Sequence, residues 1–234
     1  MTKKTSKTAA AAARSISPKG QKARAKLKTA ALAVMEEVGY HRMRTTDVTV
    51  SAGVASGLFY HYFKDLKSLT REVLEDFVAA SLRVEDIEKD VSKGDWYGRM
   101  FAHNRLVVQA YAERPGIMRC LLQLADEDED FSLLLRKNFI RQLRWLTQQM
   151  PRLFSQADMS EHQSMMVVYT LAGTGETILR DYYVNQEAVL VGSELDVDQM
   201  TELITVMFYR GLFLENPPEG KMRYTANLQA MRKS

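Results

Sequence analysis

The sequence predicts an all-α protein in which a small N-terminal three-helix helix-turn-helix unit precedes a larger helical body. Three observations predict it. Apolar residues recur with a 3.6-residue period from Gln21 to about residue 213. No period-2 run is long enough to support a sheet. Glycine and proline punctuate the periodic stretches, at Gly39, Gly53, Pro115-Gly116, Pro151 and Pro217-Pro218.

In chain order, residues 1–20 combine Lys, Ala, Ser and Thr without an acid and read as a flexible basic arm. Its five alanines are too short for a secretory h-region, and Arg14 follows them at once, so a targeting segment is not expected. Leu27, Ala30, Ala31, Val34 and Val38 share one face of a first helix over 21–38, which Gly39 stops. Thr45 or Thr46 is placed to cap a short second helix through Ala52, Gly53 breaks it, and Ser56 can cap a third ending near Phe63. Asp65 offers a cap to a longer helix carrying Leu69, Val73, Leu74, Phe77 and Val78. Helices follow at 95–112, 116–125, 129–156 (kinked or divided at Pro151), 160–184 and 196–213, with 217–234 as a mobile tail. The expected division is an arm at 1–20, a helix-turn-helix domain at 21–68, a larger helical domain at 69–216, and the tail.

The 234 residues, 46% hydrophobic and 26% charged, fall in the ordinary globular range. A single cysteine, Cys120, cannot form an internal disulfide and fits a reducing, cytoplasmic setting. No stretch reaches the roughly 18 to 20 apolar residues that a membrane span requires. The net charge of +3 hides an asymmetry: residues 1–72 carry 14 Lys/Arg against five Asp/Glu, leaving residues 73–234 at −6. The N-terminal third is therefore expected to meet a polyanion.

Helix, tight glycine turn and helix is the helix-turn-helix pattern, and a third helix of about eight residues, roughly 12 Å long, fits a major groove. The segment T-T-D-V-T-V-S-A-G-V-A-S-G-L-F-Y-H-Y-F from Thr45 to Phe63, followed by Leu69, resembles the N-terminal domain of the TetR family of transcriptional regulators. The resemblance covers about residues 23–75. Gly53 permits the turn, and Val48, Ala52, Val54, Leu58 and Phe63 are expected to form the small core. By resemblance, Thr46 and Ser56 bind phosphates at helix N-termini. Gly57, Tyr60 and His61 lie against the DNA, with Tyr62 at the margin. Four successive rings from Tyr60 to Phe63 cannot all be core, because consecutive helical residues point about 100° apart. Arg42, Arg44 and the arm are expected to add backbone affinity, and Thr45 belongs to the same contact edge. Thr49, Ala55 and Leu66 depart from the family pattern. Leu66 stands where the family commonly has a lysine, so the phosphate contact falls to Lys64 or Lys67.

The resemblance implies that the body binds a small-molecule effector and dimerises. Aromatic and Met side chains in it, including Phe101, Tyr111, Trp145, Met166 and Tyr169, are core or pocket, and suit an apolar or aromatic molecule. Polar residues set among them, His103, Asn104, Thr170, Thr174 and Glu176, are the better pocket candidates. A homodimer interface is expected through 160–184, with its small-residue run Ala172 to Gly175, and 196–213, with the stripe Met200, Leu203, Ile204, Met207, Phe208 and Gly211.

No enzyme, metal or cofactor is expected. Asp126 to Asp130 begins like a calcium loop, but Phe131 and Lys137 stand where Gly and Glu are needed. Gly173 to Thr177 lacks the lysine of a phosphate loop. The four histidines show no metal spacing with Cys120. The expected function is a cytoplasmic, homodimeric repressor released from a double-stranded DNA operator by a small molecule. The alternative is a sequence-indifferent, nucleoid-like DNA binder that uses the basic arm.

Overall fold

The computed structural model describes residues 17–81, 87 and 89–230, and every regular element among them is helical. The longer helices are α1 Pro18–Val38, α2 Thr45–Ser51, α3 Ser56–Tyr62, α4 Leu66–Ser81, α5 Trp96–Glu113, α6 Pro115–Glu127 and α7 Glu129–Thr147. Then come the one-turn α8 Met150–Leu153, α9 Glu161–Leu179, the short α10 Ala188–Val191 and α11 Val197–Phe213. A π-helical turn, Arg180–Val184, continues α9. Residues 1–16 of the expected arm and 231–234 of the expected tail lie outside the described residues.

Several ends differ from expectation for local reasons. Residues 18–20, assigned to the arm, are already helical: Ser17 Oγ accepts from Gly20 N–H at 3.2 Å and Pro18 occupies the first turn, where its missing N–H has no intrahelical partner to lose. Neither Thr45 nor Thr46 caps α2. Arg44 is the cap residue, and its N–H is held by the Asp47 carboxylate at 2.9 Å. Ala55, not Ser56, precedes α3, and Ser56 is its first helical residue. Pro151 divides the expected 129–156 helix by standing in the first turn of α8.

The expected mobile tail is packed. Glu202 of α11, 2% exposed, accepts from the N–H groups of Arg223 (2.8 Å), Tyr224 (2.7 Å) and Thr225 (2.6 Å) and from the Thr225 hydroxyl (2.8 Å). Met222 drops into the apolar cluster of the body beside these bonds. A buried carboxylate with four donors explains why this segment runs back across α11.

Leu27, Ala30, Ala31, Val34 and Met35 of α1 bury one stripe against α2, α3 and α4. The same cluster takes in Ile117, Cys120, Leu121 and Leu124 of α6 and Phe131 of α7. Each fully buried Leu or Ile here contributes about 1.5–3 kcal/mol. The head therefore shares its core with the body. Ion pairs of Arg24 with Glu72, and of Lys28 with Glu72 (2.8 Å) and Asp76, run along the α1–α4 seam. α4 is the inner part of the helix expected over 65–83 to link head and body; residues 82–86 lie outside the described set. A second link is closer. The N-terminus of α6 abuts α1 so tightly that a Cβ on Gly116 would stand 2.3 Å from the Glu36 carbonyl oxygen. No helix among the described residues is long and apolar enough to cross a membrane.

Candidate nucleic-acid interface and ligand cavity

Between α2 and α3 the chain turns through Gly53, whose φ of +63° is a left-handed value that suits glycine. Val54 N–H returns to Thr49 C=O at 3.0 Å and locks the turn. Thr49 is buried, with its hydroxyl donated to Thr46 C=O at 3.1 Å, so this polar departure from the pattern is satisfied within its own helix. Val48, Phe59 and Phe63 face inward, while Ala52 and Val54 pack on the same core. Phe59 is wholly buried; Leu58, expected in this core, is half-buried and stands outside it.

The helical rotation splits the aromatic run as the spacing requires. Tyr60 is 65% exposed and His61 is exposed, whereas Tyr62 is half-buried and touches the core. Arg44, Thr46, Ser56, Gly57, Lys64 and Lys67 are exposed, and Thr45 is half-buried. Nothing lies within 4 Å of where a Gly57 Cβ would be, so its missing side chain leaves room for an approaching surface. The two lysines differ. Lys67 Nζ lies 3.5 Å from Asp128 of α7, while Lys64 makes no ion pair among the described residues. Arg42 Nε donates to Val38 C=O at 2.9 Å and so finishes α1. Leu66 packs half-buried on the head's core, so the family's lysine position is filled by packing here.

The body holds a partly open cavity of about 470 Å³ walled by α4, α5, α6, α7, α9 and α11. Six residues expected in a pocket line it: His103, Asn104, Tyr111, Trp145, Tyr169 and Glu176. Four do not. Met166, 70% exposed, and the exposed Thr170 and Thr174 lie on the outer face of α9, and Phe101 packs on Tyr97 with ring centroids 6.3 Å apart. His103 stacks on Trp145 at 4.5 Å and 10°, and Asn104 Nδ2 donates to Thr205 Oγ1 at 3.0 Å. Tyr111 donates its hydroxyl to Glu176 Oε2 at 2.8 Å, and burial raises both the phenol and the carboxyl. Arg136, at an exposed position on α7, also borders the cavity, and a charged residue on a polar helix face carries no pocket signal in the sequence. No group of three or more His, Cys, Asp or Glu among the described residues is arranged to hold a metal ion.

Residues 27–73 match the family described as bacterial regulatory proteins, tetR family. Among solved structures the chain is similar to a TetR-family transcriptional regulator from Bordetella parapertussis 12822, at 17% identity and a TM-score of 0.59, covering 82% of this chain and 96% of that one. It is similar to a transcriptional regulator from Rhodococcus sp. RHA1, at 18% identity and a TM-score of 0.60, covering 80% and 96%. It is also similar to the fatty acid degradation regulator FadR from Bacillus halodurans, at 14% identity and a TM-score of 0.59, covering 81% and 96%. These likenesses extend the shared fold over the helical body. No curated protein matches the sequence.

Proposed function

We propose that this chain, a member of the TetR family and a DNA-binding transcriptional regulator, is a cytoplasmic repressor released from its operator by a small molecule held in the helical cavity. The observation that carries this reading is a shared core: α1 and α4, which support the α2–α3 head, pack on α6, which also walls the cavity. A ligand that shifts α4 or α6 therefore biases how the head is held.

On the DNA side, the contact set is Arg44, Thr45, Thr46, Ser56, Gly57, Tyr60, His61 and Lys64, with Tyr62 at the rim. Exposure of all but Thr45 and Tyr62, and the open space at Gly57, support it. Lys67 is secondary because its ammonium already lies 3.5 Å from Asp128, a carboxylate it shares with Arg71. Met200, Ile204 and Phe208 of the expected stripe are buried in the protomer's own core, so dimerisation uses the outer faces of α9 and α11, where Met166, Val167 and Met207 are exposed, with Leu214 exposed just beyond α11. Gly211 seats Leu171 beneath that face and draws the two helices together. Two such faces form a four-helix interface and set two heads one turn of DNA apart, about 34–36 Å.

Footprinting with competitor DNA tests the reading. A discrete, near-palindromic protected site is expected, released by effector; uniform protection would favour the nucleoid-like alternative. Met207→Glu should yield a monomer in light scattering and lose operator binding. A dimer that persists in this variant would remove the proposed interface.

A further inference from the structure

Three half-buried or buried glutamates show two kinds of environment. Glu36 receives two backbone N–H groups and Glu202 three plus a hydroxyl, which are the partners a structural carboxylate needs. Glu176 is different. Among the described residues its one hydrogen-bond partner is the neutral Tyr111 hydroxyl, and no ion pair within 4.0 Å reaches it. Arg180, one turn onward, attracts it at longer range but lies 3.5 Å from Asp181. A carboxylate has about four acceptor sites, so most of the capacity of the half-buried Glu176 is left facing the cavity it lines. A glutamine would join α5 to α9 through Tyr111 equally well, and burial penalises the charge without return unless something cationic arrives.

Glu176 is the one acidic side chain lining the cavity among the described residues. The other end of the same chamber is a flat aromatic platform. His103 stacks on Trp145, and Trp145 lies parallel to Trp96 at 6.4 Å and 9°. His103 and Tyr111 both line the cavity from α5, eight residues or about 12 Å apart. A volume of about 470 Å³ accommodates a molecule that spans this distance. Arg136, the one arginine or lysine among the described lining residues, is exposed on α7, where water screens it.

We propose that the cavity selects organic cations, with a planar aromatic group on the His103–Trp145 platform and a protonated nitrogen paired with the Glu176 carboxylate. This rests on the cavity being the effector site. The pairing adds a charge-assisted hydrogen bond where the free protein offers one neutral donor. An anion of the same shape meets the carboxylate head-on and is rejected.

Calorimetric titration of the full chain with 4-phenylbutylamine, 4-phenylbutan-1-ol and 4-phenylbutyrate tests it, since the three share an aromatic ring and chain and differ in terminal charge. The amine is expected to bind about ten-fold or more tightly than the alcohol, as a charge-assisted bond in a desolvated site implies, and the acid most weakly. In Glu176→Gln the amine's advantage should vanish while the alcohol binds as before. In Tyr111→Phe, which keeps the carboxylate, the advantage should persist. Equal binding of amine and alcohol by the unaltered protein overturns the inference yet leaves the cavity as a ligand site. An amine preference that survives Glu176→Gln overturns it too. Binding by none of the three overturns both the inference and the reading of the cavity beneath it.

Discussion

Glu36 of α1 clasps the first turn of α6 with both carboxylate oxygens, Oε1 accepting from Gly116 N–H and Oε2 accepting from Ile117 N–H, each at 2.9 Å. The negative charge sits where the exposed N–H groups and the dipole of α6 favour it. α6 also contributes Met118, Leu121 and Leu122 to the cavity wall. Glu36→Ala should cost about 1–3 kcal/mol, as for a lost charge-assisted pair of hydrogen bonds. It should blunt effector-driven release of DNA more than DNA binding itself. Gly116→Ala, which forces backbone against backbone, should lower the Tm with a similar cost of about 1–3 kcal/mol. Parallel thermal unfolding and effector titrations of DNA complexes decide the matter; a full effector response in Glu36→Ala would sink the coupling role.

Tyr60 and Phe59 are neighbours with opposite consequences. Tyr60→Ala or His61→Ala should weaken operator binding about ten-fold or more, at a loss of roughly 1–3 kcal/mol per contact, and leave the Tm unchanged. Phe59→Ala should destabilise the head by about 3–5 kcal/mol because it empties a fully buried site. Unfolding curves and gel-shift affinities on the same variants separate these outcomes. Operator affinity that is untouched by both Tyr60→Ala and His61→Ala would refute the choice of readers.

Lys64 and Lys67 should differ in a salt titration. If Lys64 neutralises a phosphate, Lys64→Ala lowers the slope of log K against log salt by about 0.9 for each head. Lys67→Ala should lower the slope less than Lys64→Ala does, because Asp128 at 3.5 Å already attracts that ammonium. A reversed pattern would assign the phosphate contact to Lys67.

The docked C-terminal segment should respond to acid. Burial pushes the Glu202 carboxyl up, but hydrogen bonds from Arg223, Thr225 and Tyr224 together hold it below its ordinary value of 4.5. A depressed folded pKa means that this group's stabilisation is fully present above about pH 4.5 and is lost as the pH falls through the lower folded value. Glu202→Gln should therefore cost about 2–4 kcal/mol near neutrality, and its deficit against the unaltered protein should shrink below that pH. A deficit that stays constant down to acid unfolding would show that the charge is not what holds the segment.

Much of this architecture is legible from the chain because α1, α4 and α11 each repeat apolar residues at helical spacing, and Gly39 and Gly53 stand where φ is +79° and +63°. The division of Phe59 to Tyr62 follows from rotation alone. Other features are hidden for definite reasons. Thr45 and Ser56 are hydroxyl residues one place inside their helices, and cap preference does not distinguish the cap from its neighbour when Asp47 supplies the closing bond. Met166, Thr170 and Thr174 share α9 with Tyr169 and Glu176 but lie outside the cavity. Both faces of that helix carry apolar and small side chains, one for the chamber and one for the proposed partner, so periodicity does not tell them apart. Nothing in the sequence marks Glu202, between Met200 and Leu203 of the apolar stripe, as buried; its partners are backbone groups some twenty residues on, at 223–225.

The lone thiol makes the seam between head and body observable. Cys120 is fully buried in the core shared by α1 and α6, its Sγ 3.8 Å from Met35 C=O, and burial pushes its pKa up to about 11. A thiol so placed is inert while the seam is closed and reacts only through the fraction of time it stands open. With one cysteine in the chain, the alkylation rate is a clock for that opening, readable on unlabelled, unmutated protein. Slower labelling with operator bound and faster labelling with effector would report the traffic between chamber and reading head as a rate.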